Sequence, residues 1–84
     1  MSTRLTYQHL LDLVGGDHEL IAGLIEVGEI EQRDGTVAIV DVERVLVART
    51  LVRELEIDWP GVEVILRLLA ELADARRRLA ALER

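Results

Sequence analysis

Leu55-Glu56-Ile57-Asp58-Trp59-Pro60-Gly61 is the stretch whose reading decides the fold. It holds the only Trp and the only Pro of the chain, and it joins two strongly helical segments. Proline lacks an N–H and fixes φ at about −65°, so a first helical turn tolerates it and a helix interior does not. Proline also disfavours helical geometry at the residue before it, here Trp59. The chain therefore breaks and restarts at this corner. Asp58 is placed to accept a backbone N–H at the positive end of the new helix, with Trp59 as the other candidate cap. Trp59 itself has two readings: a plug that locks the corner onto the core, or an exposed anchor for a partner.

After the corner, the spacing predicts a helix from about Pro60 to about Leu82. Ile65, Leu68, Leu72, Ala75, Leu79 and Leu82 alternate by three and four residues, a heptad seam. A second apolar set, Val62, Leu66, Leu69 and Ala73, can pack on the rest of the domain. Nothing else in so short a chain covers the far end of the seam, so a second copy of the helix is its natural cover. Leu68, Leu72, Ala75, Leu79 and Leu82 are the expected dimerisation residues, and a homodimer is the expected assembly. Arg76-Arg77-Arg78 lies near a helix C-terminus, where cations oppose the dipole favourably.

Before the corner, Thr6 is the expected N-cap of a short helix through about Val14, with Leu10, Leu11 and Val14 apolar at helical spacing. Gly15-Gly16 ends it, and Asp17 can cap a second helix from about His18 to Val27. Leu20, Ile21, Leu24 and Ile25 form its apolar face. Two short helices across a tight glycine turn make a helix-turn-helix. Asp34-Gly35, set between Ile30-Glu31-Gln32 and Thr36-Val37-Ala38-Ile39-Val40, predicts a hairpin, because a type I′ turn needs positive φ at both central residues. The result is a small two-stranded wing. Asp41 is the expected cap of a helix to about Leu55, with Val45, Leu46, Ala48, Leu51 and Val52 facing the first two helices and Arg44, Arg49 and Arg53 pointing elsewhere. The fold class is thus mainly α: a winged helix-turn-helix body over residues 1–58 and a C-terminal dimerisation helix over 59–84, together one small domain.

Composition narrows the chemistry. The chain has 84 residues, half of them hydrophobic, yet only Tyr7 and Trp59 are aromatic, so its core is aliphatic. There is no cysteine, which excludes disulfides, thiolate metal sites and cysteine nucleophiles. Neither a signal-peptide pattern nor an apolar run of the ~20 residues that span a bilayer is present, so a soluble, cytoplasmic protein without membrane contact is expected. From Asp12 to Asp34, seven acids face one base, Arg33; that net −6 equals the formal charge of the whole chain. An acidic N-terminal half argues against nucleic acid and for a basic protein surface as partner.

Helix-turn-helix, wing, helix and long terminal helix, in that order, resemble the MerR-like winged-helix layout. A narrower likeness lies in Val52-Arg53-Glu54-Leu55-Glu56-Ile57-Asp58-Trp59-Pro60-Gly61-Val62. It resembles the signature of the bacterial chaperone-modulator (CbpM-like) family, a Leu/Ile-Asp-Trp-Pro-Gly corner after a helix ending in Arg/His-Glu-Leu. The Gly15-Gly16 turn, the Glu19-Leu20-Ile21 helix and the Val27-Gly28-Glu29-Ile30-Glu31 exit are similar too. The wing is tighter and the C-terminal tail shorter than in that family. The resemblance implies an adaptor of the Hsp70 system that binds the J-domain of a DnaJ-like (CbpA-type) co-chaperone and modulates its stimulation of DnaK. A J-domain presents a basic helix leading to a His-Pro-Asp loop, and an acidic partner covering it would compete with DnaK. Glu19, Glu26, Glu29 and Glu31 are the expected sources of charge complementarity, with Asp58 and Trp59 at the corner.

The competing readings are weaker. A DNA-reading helix needs Arg, Lys, Asn or Gln for base edges, and here the second helix offers Glu19, Glu26 and only His18 as a base. A MerR-like DNA-binding regulator is therefore the alternative rather than the first choice. His9 and His18 are nine residues apart, not a helical metal pair, and lack a convincing third ligand. Acids are plentiful, but nothing pairs them with a nucleophile or a glycine-rich phosphate loop. An enzyme is not expected, nor is a cofactor or metal.

Overall fold

A computed structural model describes residues 3–39 and 42–83. The chain runs β1 (Thr3–Thr6), α1 (Tyr7–Leu13), α2 (His18–Glu26), β2 (Ile30–Arg33), β3 (Thr36–Ile39), α3 (Val42–Arg53) and α4 (Trp59–Leu82). This is the mainly helical winged helix-turn-helix with a long last helix that the sequence implies.

Each early helix begins where a short polar side chain can satisfy an orphan N–H. Thr6 Oγ1 accepts from His9 N at 3.1 Å, and Asp17 Oδ1 accepts from Leu20 N at 3.0 Å. At the corner the cap is Asp58, whose Oδ1 accepts from Gly61 N at 3.0 Å. The helix starts at Trp59, one residue earlier than expected. Asp58 holds the last extended conformation (φ −71°, ψ 164°), and Trp59, against the expectation from Pro60, is the first helical residue, with Pro60 in the first turn where its missing N–H breaks no helical bond. Asp41 and Val40, the expected cap of α3 and the last residue of the expected second wing strand, lie outside the described residues.

The wing departs from the expected pair of strands. It is a three-stranded antiparallel sheet in the order β1-β3-β2. The hairpin turn is as expected, with Asp34 at φ 51° and Gly35 at φ 76°. What the sequence reading missed is β1, which adds to the free edge of β3 and places Leu5 opposite Val37. Tyr7 N donates to Gly35 O at 3.3 Å, and Arg4 Nη2 donates to Thr36 Oγ1 at 2.9 Å, so the N-terminus fastens the hairpin to α1.

One aliphatic core unites every helix: Leu10, Leu11 and Val14 of α1, Leu20, Ile21 and Leu24 of α2, Val45, Ala48 and Leu51 of α3, and Val62 and Leu66 of α4, closed by Ile30 and Val37 of the sheet. Three positions expected to pack are exposed. Leu46 is 41% exposed, because the buried face of α3 runs through Val45, Ala48 and Leu51 and Leu46 sits to one side of it. Leu69 (40% exposed) and Ala73 face Glu43, Arg44 and Val47 of α3 across a shallow groove and stay exposed rather than buried. Burying Val62 and Leu66 contributes about 2 kcal/mol each to seating α4. Beyond that, the helix carries its leucines uncovered.

Candidate functional site

The six expected partner-binding residues fall into separate places. Glu19, at the start of α2, is 90% exposed in its side chain, with one oxygen 3.6 Å from Arg53 Nη2. Glu31 lies on β2 and pairs with Arg33 at 2.7 Å, both well exposed. Glu29 is drawn inward. Its Oε1 and Oε2 accept from Arg44 Nη2 (2.5 Å) and Nε (3.1 Å), while Arg44 Nη1 donates to Leu66 O at 3.1 Å. Arg44 therefore ties the exit of α2 to α3 and α4, and the Glu29 carboxylate is committed to the fold. Asp58 is likewise engaged as a cap. Of the six, Glu26 and Trp59 come together.

Trp59 is half-buried and lies on the backbone of α2 at Gly23. A Cβ at Gly23 would sit 2.0 Å from Trp59 Cζ2 and 2.3 Å from Cε2, so only glycine lets the indole seat here. The signal was present in the sequence, because a glycine inside a helix costs about 1 kcal/mol and asks for a packing reason. Gly61 has a matching role: a Cβ there would sit 2.7 Å from Ile57 Cγ2. Asp58, Trp59, Pro60 and Gly61 thus act as one unit that caps, plugs and clears the turn. The plug reading of Trp59 holds, and the exposed part of the residue faces a groove of about 420 Å³ lined by Gly23, Glu26, Val27, Trp59, Pro60 and Glu63. Glu63, one helical turn after Trp59, was missed as a site residue.

Arg53 does not point away as expected but crosses to the start of α2, where Nε and Nη2 donate to the two oxygens of Asp17 at 2.5 and 2.7 Å. The Arg53 guanidinium, helped by the Leu20 N–H, holds the Asp17 carboxyl below its usual range against the opposing effect of burial. Tyr7 Oη lies 3.2 Å from His18 Nδ1, with the two rings stacked at 6.1 Å. Among the described residues no three His, Asp or Glu side chains gather as a metal site. Nor is any described helix long and apolar enough to cross a membrane.

The solvent-facing residues of α2 are His18, Glu19, Ala22 and Glu26. In a helix-turn-helix this is the face that would meet a ligand, and it carries two carboxylates with no Arg, Lys, Asn or Gln. The family model of MerR HTH family regulatory proteins matches residues 3–84. The chain belongs to that family. Its MerR-like body therefore keeps the helix-turn-helix and sheet while presenting an acidic α2. No curated protein and no solved structure gives a significant match.

Proposed function

We propose that this MerR-like protein is a cytoplasmic chaperone modulator of the CbpM-like kind. It binds the J-domain of a DnaJ/CbpA-type co-chaperone and lowers its stimulation of DnaK. The observation that carries the reading is the exposed face of α2, where Glu19 and Glu26 stand in place of base-reading side chains. Carboxylates near phosphate gain no counterion release, whereas a basic helix is attracted and oriented by them. Binding occludes the J-domain surface that DnaK needs, so no catalytic group of this chain is required. The Asp58-Trp59-Pro60-Gly61 corner supports the same reading through its likeness to the chaperone-modulator signature.

The proposal includes a homodimer through α4. Leu68, Leu72, Leu79 and Leu82 are 46–81% exposed along one heptad seam with Ala75, which a second copy of the helix would cover. The deciding assay follows ATP hydrolysis by DnaK with its DnaJ-like partner while this protein is titrated in. Stimulation is expected to fall to the unstimulated rate, and an unchanged rate at saturating protein would contradict the reading. A second reading, a DNA-binding regulator, is favoured by membership in a helix-turn-helix regulatory family. It requires salt-sensitive binding to duplex DNA.

A further inference from the structure

The groove between α2 and the start of α4 has a shape and lining specific enough to name its occupant. Its apolar surface comes from Trp59, Pro60 and Val27, with the Gly23 backbone of α2 against the indole. Two carboxylates, Glu26 from α2 and Glu63 from α4, line the same groove, and both are exposed. Neither forms an ion pair with any described residue, although Arg67 stands one turn beyond Glu63 in the adjoining groove. The other acids of this region are already satisfied: Glu29 by Arg44, and Asp17 by Arg53.

We propose that this groove receives a single arginine side chain projecting from the cationic partner. An arginine combines an apolar stem with a planar cation. The stem suits the Trp59–Pro60–Val27 surface, and the guanidinium suits two carboxylates beside an indole, by ion pairing and cation–π attraction. The inference rests on the adaptor reading above and adds the one pocket in which the partner is anchored. It also separates Glu26 and Glu63 from Glu19 and Glu31, which contribute only long-range attraction.

Trp59 is the only tryptophan, so its emission reports occupancy directly. The probe is an acetylated, amidated alanine-rich helical peptide bearing arginines at i, i+4 spacing, compared with a twin in which citrulline replaces arginine. The arginine peptide is expected to change Trp59 emission saturably, and the citrulline twin to leave it unchanged. The double variant Glu26→Gln/Glu63→Gln is expected to raise the Kd about tenfold, against less than about twofold for Glu19→Gln/Glu31→Gln, which removes the same charge elsewhere. Equal weakening by the two pairs, or binding with no change in Trp59 emission, would overturn the groove while leaving an acidic-face adaptor intact. An emission change that follows protein concentration alone and disappears in Arg76→Gln/Arg77→Gln/Arg78→Gln would also overturn it, by making a second copy the occupant. Loss of DnaK inhibition is read separately, in the assay above, so the two ideas fail by different observations.

Discussion

The two halves of α4 share one helical apolar spacing and have opposite fates. In the first half, Val62 and Leu66 are buried to 1% or less and Trp59 lies against Gly23, so the helix is part of the body. In the second half, Leu72, Leu79 and Leu82 follow the same helical spacing yet are 46–81% exposed. Apolar periodicity alone does not distinguish core from interface. What distinguishes them is whether the rest of the chain is within reach, and Leu66 is the last buried side chain of α4.

That contrast can be broken from either side. The largest effect is expected from Leu66→Ala, which removes a fully buried side chain and costs about 3 kcal/mol in urea unfolding. The equivalent Leu79→Ala is expected to leave the unfolding of the body within about 0.5 kcal/mol. A comparable loss at both positions would erase the distinction. Gly23→Ala sharpens it by attacking the seat of Trp59. The added Cβ collides with the indole, so a loss of about 1–3 kcal/mol is expected despite the better helix propensity of alanine, together with a red shift of Trp59 emission. Asp58→Ala removes the cap from the same helix end and is expected to cost about 1 kcal/mol.

A smaller effect depends on pH. The Asp17 carboxyl is lowered in the folded state, chiefly by Arg53, so its contribution is present above the unfolded value of about 4 and is lost as pH falls through the folded value. The stability gap between the native protein and Asp17→Asn is expected to be widest at neutral pH and to shrink on acidification below about pH 4. The smallest effect on the body, and the largest on assembly, is expected from Leu72→Glu/Leu79→Glu. Sedimentation is expected to show a monomer for the variant and a dimer for the native protein, with near-UV signals of the body unchanged.

Much of this architecture is legible in the sequence because it rests on local chemistry. Thr6, Asp17 and Asp58 each announce a helix start, and Asp34-Gly35 announces the hairpin, since the residues needed are adjacent in the chain. The parts that were not legible depend on placement. The strand β1 has four residues and one inward apolar side chain, Leu5, too short a pattern to separate from a tail. The bond between Glu29 and Arg44 spans 15 residues and exists because α3 lies across the exit of α2. Without that geometry Glu29 looks like any other surface acid. Glu63 was missed for the opposite reason, since in sequence it belongs to the last helix and only the fold brings it into one groove with Glu26.

The most direct test of the central claim measures the affinity of the full chain for an isolated J-domain and for a labelled duplex DNA in the same buffer, at low and at moderate salt. The account predicts binding of the J-domain that weakens as salt rises and is reduced by Glu26→Arg, with no measurable DNA binding. Salt-sensitive binding to the duplex, with no binding to the J-domain at either salt concentration, would contradict it.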